Sequence, residues 1–283
     1  MTPLVLMLVL TRAIGAQAIT CDSPEVLTSV PRFVECARAG TERYHDRQAA
    51  IRDGYRRIGR DFPAMGEHWI RIALVFDSKF DPSRPEVLNY VEIGGKPRLL
   101  GVGYAMPLLT GEAAPAGPAG PRAWHDHFRS VDEETVLPDH HTHGSANNGA
   151  RLAMMHAWIW SPNPEGVFAP DNWAIPFVRH NLIPPAEFPI GAAKALSLLS
   201  GGRDYVEASI RAVAGRGDHQ EFARAALDDA VRQVTAIVPR DPQERIDAAM
   251  LARLASIWTG LWTAIDGAAP ADVRQKLMSL AVR

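Results

Sequence analysis

The chain has 283 residues, 30 Lys+Arg against 32 Asp+Glu, 47% hydrophobic residues and two cysteines. That length carries one large domain or two modest ones with enough apolar material for a core. A net charge of −2 gives no general electrostatic reason to bind nucleic acid or an anionic membrane. No apolar run approaches the ~18 residues of a spanning helix, so no stable membrane span is expected.

The chain opens with an apolar stretch, Leu4 to Leu10, followed by Ala16-Gln17-Ala18. This is the pattern of a secretory h-region and its cleavage site, so residues 1–18 read as a leader and the protein as periplasmic or secreted. A basic n-region is missing, and a buried N-terminal segment is the competing reading. Cys21 and Cys36 are fifteen residues apart. In an exported chain they would close a disulfide; otherwise they are two small hydrophobes. Within a helical segment at 19–61, Arg32 to Tyr55 is rich in helix formers and predicts one helix ending near Gly54, with His45 on its surface.

Residues 62–190 are different. They hold eight of the ten histidines, five of the seven tryptophans and sixteen of the 22 prolines. Trp69 to Ile72, Glu86 to Ile93, Leu99 to Met106 and Met154 to Trp160 have strand composition, and Gly94-Gly95 is a hairpin turn. A Pro/Gly/Ala loop follows at 113–121.

From Gly191 helical periodicity takes over. Asp218 with Glu221 predicts a capping box, followed by a stripe of Phe222, Leu227, Val231, Val234 and Val238. A second helix starts at Asp241-Pro242 and carries Ile246, Met250, Leu254, Ile257, Trp258, Leu261 and Ile265; a last helix spans Ala271 to Val282. The fold class is therefore α+β: an N-terminal helix, a central mostly antiparallel β domain (sandwich or barrel) and a C-terminal helical bundle at 191–283.

Chemistry concentrates in the β domain. In Trp124-His125-Asp126-His127, the two histidines are at i and i+2, which share one face of a strand. Two converging imidazoles suit Zn, Cu or Fe. His156 lies on an apolar, aromatic strand face, and His68 sits in Gly66-Glu67-His68-Trp69. A buried histidine must be hydrogen-bonded or coordinated. His68, His125, His127 and His156 are thus the expected ligands of one transition metal, with Trp69, Trp124 and Trp158 as the ring lining. Glu67, Glu86, Glu133 and Glu134 are the carboxylates available to complete the site. His140-His141-Thr142-His143 reads as a secondary site at most, and the 161–173 loop as a rim. H-E-x-x-H, G-x-S-x-G and Walker A sequences are absent, and Gly101-Val102-Gly103 lacks the third glycine of a dinucleotide loop.

Gly66-Glu67-His68-Trp69, Trp124-His125-Asp126-His127 and His156-Ala157-Trp158, with Asn163-Pro164-Glu165-Gly166-Val167-Phe168, resemble a group of uncharacterised exported bacterial proteins over about residues 51–180. A second similarity is to the cupins, whose metal site would place His125, His127, Glu133 or Glu134, and His156 as ligands. Glu133 falls later than the cupin motif implies, and the cupin glycine pattern is missing.

The expected function is an exported metal-binding protein with a mononuclear His-ligated centre, open to a small molecule or metal ion and to no nucleic acid. If the centre is catalytic, the metal acts as a Lewis acid or activates water or dioxygen, and Glu67 or Glu133 shuttles protons. The alternative is a non-catalytic small-ligand or metal carrier using a Trp-lined face.

Overall fold

A computed structural model describes Cys21 and residues 23–120, 123–127, 150–214, 217–239, 246–280 and Arg283. The expected leader, Glu133, Glu134, His140, His141, His143 and the helix start at 241–245 lie outside the described residues. His127 is described in its backbone alone.

The fold is mixed, 47% helical and 18% strand: an antiparallel sheet curled into a half-barrel, with helices at both ends. The single helix expected over 32–55 is broken. A 3-10 turn at Pro24–Thr28 leads into α1 (Val30–Thr41), a second 3-10 turn at Glu42–His45, and α2 (Arg47–Arg52). The break falls at Asp46, whose side chain leaves the helix to accept from the Gln48 N–H and cap α2. Cys21 and Cys36 form a disulfide that ties the chain before α1 to the buried face of that helix.

Six strands follow among the described residues: β1 (Arg56–Phe62), β2 (Gly66–Ile70), β3 (Val87–Ile93), β4 (Lys96–Leu108), β5 (His125–His127) and β6 (Arg151–Ala157). Their order is β1-β2-β3-β4-β6-β5, antiparallel at every pairing. The β3–β4 turn is Gly94-Gly95 with φ of 57° and 73°, the left-handed pair that a tight hairpin needs. β1 follows the expected helix end near Gly54, in the segment at 19–61 read as helical overall, and no strand is expected there. Its sequence, Arg-Arg-Ile-Gly-Arg-Asp-Phe, has no apolar alternation, because it is an edge strand whose arginines face water and whose register slips at a bulge around Gly59 (φ 62°). A short helix, α3 (Ile72–Val75), interrupts the expected strand at 69–72.

Both sheet faces are covered. On one, Leu88, Tyr90, Val102, Tyr104 and Met155 pack with Phe33, Cys36 and Ala37 of α1. On the other lie the later helices α4 (Ile175–Arg179), α5 (Ile190–Ser197), α6 (Gly201–Ala214), α7 (Asp218–Ile237), α8 (Ala248–Ala268) and α9 (Ala271–Met278). They share one core with Phe62, Met65, Val91, Leu100 and Trp158 of the sheet region, so residue 190 does not separate two cores. The cap of α7 is Gly217 rather than an Asp218 capping box. Its buried stripe is Ala223, Leu227, Ala230, Val234 and Ile237, rotated from the expected one, and Phe222 is left exposed. α8 is long and apolar enough by composition to cross a membrane. Its Leu251, Leu254, Trp258, Leu261, Trp262 and Ile265 are buried in the shared core.

Glu86 is 3% exposed and accepts from the Ala105 N–H (3.1 Å). Burial pushes its carboxyl up to about 8. In the unfolded chain it titrates near its ordinary 4.5. Its contribution to stability is therefore full below pH 4.5 and declines as pH rises towards 8, by on the order of 4 kcal/mol. Urea denaturation of wild type and Glu86→Gln at pH 5 and pH 8 checks this: the wild type is expected to lose more stability over that interval than the variant. Equal losses contradict it. Removing the disulfide as Cys21→Ser/Cys36→Ser is expected to cost about 3 kcal/mol from loop closure, read in the same assay under oxidising conditions.

Candidate metal centre

Strand alternation sorts the expected site residues onto two faces. His68 and Ile70 of β2, Val87 and Asn89 of β3, Gly101 and Gly103 of β4, and Met154 and His156 of β6 share one sheet face, the one opposite α1. Glu67 and Trp69 point the other way. Glu67 is held there by Arg57 (2.8 Å), Arg47 (3.6 Å) and the Trp69 indole N–H (3.0 Å). Trp124 also packs on that opposite side, 5.4 Å from Phe80 between ring centres. Glu86 neighbours Tyr104 there as well. Trp69, Trp124 and Trp158 therefore do not share one lining, and Glu67 has no access to the histidine face.

Three of the four expected ligands do converge. His68, His125 and His156 are 7%, 1% and 1% exposed. The ring centres of His68 and His125 lie 5.5 Å and 5.3 Å from that of His156, which is central. The Nε2 atoms of His68 and His156 are 3.4 Å apart. Phe62 and His68 meet in a T-shaped contact (5.0 Å between ring centres), and Trp158 lies 5.6 Å from His156. β5 sets His127 opposite Leu152, two positions from His125 opposite Met154.

The His68–His156 contact spans two intervening strands. In a flat sheet, β2 and β6 would be roughly 14 Å apart, three spacings of ~4.8 Å. The curl shortens that gap, and two glycines clear it. A Cβ on Gly101 would stand 2.8 Å from Trp158 Cε3, and one on Gly103 would stand 3.0 Å from Val87 Cβ and 3.4 Å from His156 Cδ2. Gly-x-Gly on one strand face is thus the space that the His156 and Trp158 rings fill. Sequence reasoning tested this motif only as a phosphate loop; i, i+2 glycines facing an aromatic strand were the available signal.

The 161–173 loop orients the central ring. Trp158 receives the loop through its N–H to the Val167 carbonyl and its indole N–H to the Ala169 carbonyl, both at 2.8 Å. Asn172 ties the loop down, donating its backbone N–H to Ala64 O and its Nδ2 to Pro162 O. The Pro170 carbonyl then lies 2.6 Å from His156 Nδ1. A carbonyl only accepts, so Nδ1 carries the proton and Nε2 of the neutral ring presents its lone pair. Metal-ligating histidines are commonly oriented by a hydrogen bond of this kind. On the reverse face, Arg151 Nε donates to Asp126 (2.9 Å) with both side chains buried, holding the three-residue strand β5 on β6 beneath His125. Removing one partner of such a pair would strand a buried charge.

The donor set fits a transition metal in part. Two ligands at 2.0–2.1 Å around a tetrahedral ion lie ~3.3–3.4 Å apart, the separation seen between the two Nε2 atoms. Among the described residues no group of three His, Cys, Asp or Glu side chains is already placed to hold an ion.

The packing over the glycines gives a direct test. Gly101→Ala is expected to lower stability by about 1–3 kcal/mol in chemical denaturation, through overpacking against Trp158. Gly260→Ala on α8, whose Cβ would meet nothing within 4 Å, is expected to raise it by up to ~1 kcal/mol. The same sign for both substitutions contradicts the assignment. In comparisons with protein-family models, curated proteins and solved structures, nothing matches this chain.

Proposed function

We propose that the protein is an exported metal-binding protein whose mononuclear centre is built on His68 and His156, with His125 and His127 completing it. The observation that carries this reading is the 3.4 Å approach of two buried Nε2 atoms, one of them on a ring whose Nδ1 is committed to the Pro170 carbonyl. Imidazole ligands of this kind suit Zn, Cu or Fe. The metal would supply Lewis acidity; the chain's residues hold it, fix the tautomer of His156 and screen the site with Phe62 and Trp158. The Cys21–Cys36 disulfide supports export, since such bonds persist in oxidising compartments. The helices at 190–278 act as the supporting bundle over this face.

Metal analysis of purified, tag-free protein tests the reading. One Zn, Cu or Fe per chain is expected, with His68→Ala/His156→Ala losing it while remaining folded by circular dichroism. Fully folded wild type whose thermal stability is unchanged by all three metals contradicts it.

A further inference from the structure

A cavity of about 320 Å³ opens between the loop after β6 and the start of α5, and none of the histidines named above lines it. Pro164, Trp173, Phe188 and Ile190 give it apolar and aromatic walls. Each of its two segments adds one carboxylate, Glu165 from the loop and Glu187 from the residues before α5. Volume and lining are those of a small-molecule site. Both walls are tied down. Asn163 donates its Nδ2 to the Asp171 carbonyl (2.7 Å) and accepts from the Glu165 N–H (3.1 Å). Phe188 packs on the buried Phe177, 4.7 Å between ring centres.

The negative charge around it is uncompensated. Among the described residues neither Glu165 nor Glu187 has an ion-pair partner. Lys194, one turn along α5 from Ile190, instead sets its Nζ over the Trp173 and Trp258 rings, at 5.3 Å and 5.8 Å. Burial, with Asp171 adding to it, pushes the Glu165 carboxyl up, so a cation beside it would offset the cost of the ionised form. Among the described residues no third His, Cys, Asp or Glu joins the pair in a group that could hold a metal ion. Aromatic walls favour an organic cation, whose charge they attract and whose carbon they cover. We propose that this cavity binds a small organic ammonium compound bearing an apolar group, with its charge facing Glu165 and Glu187 and its apolar part on Trp173 and Phe188. The site does not depend on the metal reading.

Isothermal titration calorimetry of the full chain with 2-phenylethylammonium tests this, with 2-phenylethanol and 3-phenylpropionate as neutral and anionic probes of similar size. The ammonium is expected to bind once per chain, about tenfold or more tightly than either of the others. Glu165→Gln/Glu187→Gln is expected to weaken it by about tenfold, since both side chains keep their size and lose their charge. Ala186→Trp, which fills the cavity and keeps both carboxylates, is expected to abolish binding. No binding of the ammonium to wild type at millimolar concentration overturns the proposal. So does equal binding of the neutral probe, or undiminished binding in either variant. Should a variant not fold, a structure of wild type with the ammonium decides: a phenyl ring against Trp173 and Phe188 supports the proposal, and a probe bound elsewhere overturns it.

Discussion

Two imidazoles on strands separated by two others ordinarily do not touch. Here the half-barrel curl brings β2 and β6 towards each other, and Gly101 and Gly103 remove the side chains that would otherwise stand between them. The rest of the site follows from that clearance. Trp158 lies over Gly101, His156 passes over Gly103, and the His68 ring meets His156 from the far side with Phe62 behind it. Both flanking layers maintain the curl, because each face of the sheet buries its own apolar cluster against helices.

Within that space the tautomer is imposed from outside the sheet. The loop after β6 is pinned through Trp158, Asn163 and Asn172, and its Pro170 carbonyl selects the Nδ1–H form of His156. The His68 Nε2 would donate to the His156 Nε2. A metal, were one bound, would be held by both Nε2 atoms, which requires His68 to carry its proton on Nδ1 instead. The residues are buried, and charge on the opposite face is neutralised locally by Arg57 on Glu67 and by Arg151 on Asp126.

Much of this was legible in the sequence, and the gaps have physical causes. His68 and His156 could be read from their apolar and aromatic surroundings, which demand a partner for a buried ring, and His125 from its i, i+2 spacing with His127. Period-2 alternation then gives the face of each residue, and it is what separates Glu67 and Trp69 from His68 despite their adjacency. Strand β1 was hidden because an edge strand is free of the burial that produces alternation. The break after Thr41 was hidden because helix propensity runs through it, while Asp46 favours a cap. The stripe of α7 was misplaced because small alanines at positions 223 and 230 face the core, where close helix packing favours them over Phe222. Pro170 carries no local pattern; it meets His156 through loop geometry alone.

The most direct measurement of the central claim is a crystal structure of the metal-loaded protein with anomalous scattering collected at the absorption edge of the bound metal. The account expects one strong peak between His68 and His156, with both Nε2 atoms at about 2.0–2.1 Å if the ion is zinc. A peak elsewhere in the chain, with His68 and His156 still sharing their direct contact, would contradict it.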